Sequence, residues 1–96
     1  MLINLKNTSY RLIFSNSSER YLKKLRKRNK DDFDSLIKNI QLIINNPYDS
    51  KLLHGKLKGL RRVKNKDYRV VFFIENNLNP PEIQIIEVGK RKNVYK

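Results

Sequence analysis

The run Tyr68-Arg69-Val70-Val71-Phe72-Phe73-Ile74-Glu75 constrains this chain more than any other stretch. Successive side chains of a strand point to opposite faces, so a strand with one wet face alternates apolar and polar residues. Here Tyr68, Val70, Phe72 and Ile74 fill one parity, while Val71 and Phe73 occupy the other. Such a segment reads as a central strand covered at least in part on both sides, and it needs flanking strands and a helical layer. The flanks are at hand. "LRRVKN" precedes it across Lys66-Asp67 and "EIQIIEV" follows it beyond Asn76 to Pro81, which predicts a meander of three antiparallel strands.

Upstream the apolar period changes from two to 3.6. In "DDFDSLIKNIQLIINNP", Phe33, Leu36, Ile37, Ile40, Ile43 and Ile44 make one helix face, with Asp31 and Asp32 at the N-terminal end and Asn45-Asn46-Pro47 as the stop. Before it, "SNSSERYLKKLRK" offers Ser15, Asn16 and Ser17 as caps, Glu19 in the first turn and a narrow apolar stripe of Tyr21, Leu22 and Leu25. The two helices form a hairpin joined around Arg28 to Lys30. "YRLIFS", Tyr10 to Ser15, reads as a first strand, and "YDSKLLHGKLKG" reads as a loop. The expected architecture is therefore α+β: an N-terminal strand, a helical hairpin and a three-stranded meander, forming one sheet with both helices on one face. No repeat or linker divides residues 1–96, so a single domain is expected.

The charge balance is lopsided: 22 Lys and Arg against 9 Asp and Glu give a formal net charge of +13 on 96 residues. A potential that positive points to a polyanionic partner. Cysteine is absent and His54 is the lone histidine, which excludes disulfides, thiolate metal sites and a cysteine nucleophile, and predicts no metal or cofactor. "MLINLKNTSY" lacks the apolar stretch of a secretory signal, and no window approaches the roughly 20 apolar residues of a membrane span. A cytoplasmic protein without a membrane partner is expected.

The cations sort by position. Lys23, Lys24, Arg26, Lys27, Arg28 and Lys30 crowd the first helix and its end, where they read as solvated charge or general RNA affinity. Arg62 and Lys64 are two apart and project from one face of a strand, and Arg69 opens the next strand after a tight turn, on the face expected to lie opposite the helices. Arg91 follows the last strand, and Tyr95 lies four residues on. Glu75, Glu82 and Glu87 fall at the far strand ends or on unassigned faces, so the site reads as cations plus a phenol. Guanidinium groups bind phosphate through paired hydrogen bonds and stabilise the charge that builds as a nucleophile adds to a phosphodiester. Neighbouring cations favour a phenolate, which makes Tyr95 a base for a 2′-hydroxyl nucleophile supplied by RNA itself. On these residues alone, binding and catalysis remain equally open for Arg62, Arg69, Arg91 and Tyr95. Arg61 shares the inward parity of Val63, His54 reads as a surface residue, and Tyr68 reads as packing with Val70 and Phe72.

With "NNPYDSKLLHGKLKGLRRVK", "KDYRVVFFIE" and "IQIIEVGKRKNVY" in this order, the chain resembles the RelE/ParE superfamily of toxins from toxin–antitoxin pairs, from Tyr10 to Tyr95. The resemblance implies a RelE-like, ribosome-dependent endoribonuclease that cuts messenger RNA in the ribosomal A site by attack of the 2′-hydroxyl, leaving a 2′,3′-cyclic phosphate. By position it assigns Arg69 to the scissile phosphate, Arg91 to the transition state or leaving group, Tyr95 to the base, and Arg62 and Lys64 to the supporting basic strand. Leu60 stands where some members carry a lysine. Lys23, Lys24, Arg26, Lys27, Arg28, Lys30, Arg61, Lys90 and Lys92 are the expected contacts to RNA and ribosome. An acidic antitoxin is the implied protein partner, in a hetero-oligomer. Two other functions fit the same chain: a ParE-type toxin that poisons DNA gyrase, and an RNA-binding module without activity.

Overall fold

The computed structural model describes residues 10–55 and 59–90. Seven elements follow in order: β1 (Arg11–Phe14), α1 (Asn16–Arg28), α2 (Lys30–Asn45), β2 (Lys51–Leu52), β3 (Arg61–Asn65), β4 (Tyr68–Glu75) and β5 (Glu82–Lys90). The strands form one sheet in the order β1-β5-β4-β3-β2, so β4 is central, as its two-sided apolar pattern requires. The meander β3-β4-β5 is antiparallel, and β1 joins β5 in parallel from Arg11↔Glu82 to Phe14↔Ile85.

One strand was not expected. The stretch read as a loop contains β2, whose two residues pair Lys51 with Arg62 and Leu52 with Arg61. Both of its residues are exposed, so there is no buried face to stamp a period-2 pattern on the sequence. Leu53 supplies the anchor instead, being buried and donating its N–H to the Leu60 carbonyl at 2.8 Å.

Local chemistry sets the helix ends. Ser15 Oγ accepts the Ser18 N–H at 3.1 Å and donates to the Ile86 carbonyl at 2.8 Å, capping α1 and fastening its start to β5. The hairpin link shrinks to one residue. Asn29 closes α1, with its N–H on the Leu25 carbonyl, and caps α2 by accepting the Asp32 N–H at 3.1 Å. The α2 helix stops at Asn45, ahead of Asn46-Pro47.

Leu22, Leu25, Leu36, Ile40, Ile43 and Ile44 from the helices meet Tyr68, Val70, Phe72, Ile83, Ile85 and Val88 in one core. Phe72 and Leu36 are fully buried, and side chains of this size contribute about 1.5–3 kcal/mol each through burial. Ile83, Ile85 and Val88 do not share a parity, yet all three face the helices. A bulge reconciles them: Val71 pairs with Glu87 and Phe72 with Ile85, leaving Ile86 as the extra residue and resetting the alternation.

Candidate functional site

Register decides which cations meet. Across β3 and β4, Arg62 pairs with Val71 and Lys64 pairs with Arg69, while Arg61, Val63 and Asn65 pair with Phe72, Val70 and Tyr68 of the helix-facing side. Arg62, Lys64 and Arg69 therefore share the face away from the helices, here the open face, on which Arg69 itself lies buried. Neighbouring strands lie about 4.8 Å apart, so Lys64 and Arg69 stand directly opposite as like charges, an arrangement that opposes folding. On the other side of Arg69 the β5 partner is Gly89, which adds no side chain to this rung.

Arg69 is held away from water, and Arg62 in part. Arg69 is only 3% exposed, and its Nη1 donates to the Tyr68 carbonyl at 3.1 Å. Buried Nε atoms of both Arg62 and Arg69 lack a hydrogen-bond partner among the described residues. Arginine stays protonated at any ordinary pH, so a desolvated guanidinium with an unused donor is costly unless an anion meets it. Arg69, with the half-buried Arg62 beside it, already has the buried character that stabilises charge growing on a phosphate.

The helix-facing side is the opposite case, because its polar groups are paired. Tyr68 Oη donates to Asp32 Oδ2 at 2.8 Å, and Lys66 Nζ sits 3.4 Å from Asp32 Oδ1. Burial, with the Asp32 hydrogen bond and charge behind it, pushes the Tyr68 hydroxyl up to about 12. The Tyr68 hydrogen bond, reinforced by Lys66, holds the Asp32 carboxyl below its ordinary range despite partial desolvation. Tyr68 thus stays protonated and serves as an anchor between α2 and β4, not as a base. The bond was invisible in the sequence, although the inward parity of Tyr68 and the place of Asp32 in the first turn of α2 were its two halves.

Arg61, expected among the RNA contacts, lies on the helix-facing side, where its Nη1 donates to the Ser50 carbonyl at 3.2 Å and its guanidinium stands 5.0 Å from the Tyr48 ring centroid. It ties down the segment after α2. Lys90 pairs with Tyr68 on that same side, close enough to Asp32 to favour its charged form. Lys23, Lys24, Arg26, Lys27, Arg28 and Lys30 are exposed on the helical layer, separated by the sheet from the Arg62 face, and Lys23 and Lys30 pair within their helices with Glu19 and Asp34. Arg91, Lys92 and Tyr95 lie outside the described residues. Glu87, left without a face in the sequence, shares a rung with Val71 and Arg62. Among the described residues no three His, Cys, Asp or Glu side chains cluster to hold a metal ion, and no helix is long and apolar enough to cross a membrane.

The sequence matches the family described as ParE toxin of type II toxin–antitoxin system, parDE, over residues 12–95. No match is found among curated proteins. Solved structures with this fold include a YoeB/ParE toxin from Agrobacterium tumefaciens, with a TM-score of 0.75 at 13% identity over 84% of this chain and 98% of that one. The toxin–antitoxin complex RelBE2 from Mycobacterium tuberculosis gives 0.70 at 21% identity, over 94% and 100%. YafQ from E. coli gives 0.69 at 20% identity, over 91% and 99%. The family match spans nearly all of the described sheet and both helices. This chain belongs to the ParE toxin family of type II toxin–antitoxin systems, within the RelE/ParE superfamily.

Proposed function

We propose that this toxin is a ribosome-dependent endoribonuclease that cuts messenger RNA in the A site. The observation that carries the reading is the open-face trio of Arg62, Lys64 and Arg69, with the Nε atoms of both arginines buried and unbonded among the described residues. A surface that only attracts RNA has no need to desolvate its cations, whereas one that stabilises a pentavalent phosphate gains from doing so. In the proposed step the 2′-oxygen attacks phosphorus in line, its proton passes to a base, and the bond to the 5′-oxygen breaks as that oxygen takes up a proton. The products are a 2′,3′-cyclic phosphate and a 5′-hydroxyl. Arg69 and Arg62 hold the nonbridging oxygens, Lys64 adds charge, Arg91 neutralises the leaving side and Tyr95 accepts the proton. No metal enters this scheme, because RNA brings its own nucleophile.

The protein partner in this reading is an acidic antitoxin, in a hetero-oligomer, as the RelBE2 and DinJ-YafQ toxins are seen with theirs. A net charge of +13 favours such a peptide. The test is primer extension on messenger RNA in cell-free translation, with and without ribosomes, beside a DNA-supercoiling assay. Breaks inside codons that require ribosomes are expected. Intact messenger together with inhibited gyrase would replace this reading by the gyrase-poisoning one.

A further inference from the structure

A second feature sits at the edge of the same sheet. Among the described residues β1 covers β5 from Glu82 to Ile85 and no strand flanks Glu87, and the adjoining space is a groove of about 430 Å³ lined by Ser17, Arg20, Tyr21, Lys24 and Glu87. Arg20 and Lys24 are exposed and one helical turn apart, which places two cations side by side along one wall. Tyr21 contributes a half-buried ring and Glu87 a half-buried carboxylate. The rung Arg62-Val71-Glu87 runs from the open-face cations to the sheet edge, where α1 supplies the rest of the groove from the helical layer, and two strand spacings put Glu87 about 10 Å from Arg62 across the sheet.

We propose that this groove is a base-binding subsite for single-stranded RNA, taking an unpaired nucleotide at the sheet edge, around from the phosphate held by Arg62 and Arg69. The assignment rests on the nuclease reading for the identity of its ligand. The chemistry of the wall favours it: cations for the backbone, an aromatic ring for the face of a base and an acceptor for its edge. Glu87 can only accept while ionised, so it selects a base with an exocyclic amino group, cytosine above all, over uracil. A groove meant only for phosphate would have no use for a carboxylate beside Arg20 and Lys24.

The test is equilibrium binding of fluorescent C12 and U12 RNA to the purified toxin, with an Arg20→Ala/Lys24→Ala double variant and Glu87→Gln. Wild type is expected to favour C12 by about fivefold or more, within the range of a single good base contact. Glu87→Gln should bring that ratio near one without weakening U12. The double variant should weaken both oligonucleotides and flatten the salt dependence by about 0.7 in slope for each contact removed. An unchanged ratio in Glu87→Gln, or an unchanged salt slope in the double variant, would overturn the subsite. So would a polyglutamate peptide that binds as tightly as C12 and loses affinity with the same substitutions, since the groove would then be a protein-docking surface. Ribosome-dependent cleavage of messenger is measured in parallel. A wild type that discriminates C12 from U12 but does not cut keeps the subsite and removes the nuclease, and one that cuts without discrimination does the reverse.

Discussion

Arg61 and Arg62 are neighbours on one short strand and meet opposite fates. Arg61 turns toward the helices, donates to the Ser50 carbonyl and stacks over Tyr48. Arg62 turns to the open face with its Nε buried and unbonded among the described residues. One strand later the contrast repeats: Tyr68 is tied to Asp32, while Arg69 keeps an unbonded Nε at 3% exposure. The same two strands thus serve folding on one face and carry unspent binding capacity on the other. A local violation of polar satisfaction is tolerated where a ligand is meant to complete it.

The largest effect that sharpens this comparison is on stability. Phe72→Ala removes a fully buried ring from the helix-facing side and is expected to cost about 3–5 kcal/mol, read by urea or thermal unfolding. Arg69→Ala is its counterpart on the open face. Ribosome-dependent cleavage should fall about 100- to 1000-fold, with an unfolding midpoint close to wild type. An Arg69 variant that unfolds but cleaves normally when folded would break the division.

Tyr68 links the comparison to pH. Its folded value near 12 lies above the ordinary 10, so the neutral hydroxyl is favoured by the native state. Its contribution to stability is complete below pH 10 and is lost as pH rises from about 10 to about 12. Asp32 runs the other way, since a carboxyl held below 3.8 contributes stability above that pH and loses it as pH falls further. Tyr68→Phe should lower the midpoint at neutral pH and remove the loss between pH 10 and 12, with cleavage per folded molecule unchanged. An equal alkaline loss in the variant would assign the transition to another group. A smaller effect is expected of Asn65→Ala, which removes donors to Ser35 at 2.9 Å and Asn39 at 2.8 Å and should cost about 1 kcal/mol.

Much of this arrangement was legible in the sequence where burial imposes a period. The two-sided pattern of Tyr68 to Ile74 identified the central strand, and the 3.6-residue spacing of Phe33 to Ile44 identified the helix that packs on it. Parity alone placed Arg62, Lys64 and Arg69 on the face away from the helices, as the register shows. The bulge at Ile86 was not legible, because an inserted residue looks the same as its neighbours until the partner strand is known. Strand β2 escaped for want of a buried face. The contacts of Arg61 were not legible, because its partners, Ser50 and Tyr48, lie 11 and 13 residues back across a turn, a distance at which sequence spacing says nothing about contact.

The most direct measurement sets Arg61→Ala against Arg62→Ala, each read by single-turnover cleavage of ribosome-bound messenger and by thermal midpoint. Arg62→Ala should slow cleavage by about 100-fold or more at an unchanged midpoint, and Arg61→Ala should lower the midpoint by the equivalent of about 1 kcal/mol while cleavage stays near wild type. Equal losses of cleavage in both variants, or cleavage intact in Arg62→Ala, would contradict the assignment of folding to one face and chemistry to the other.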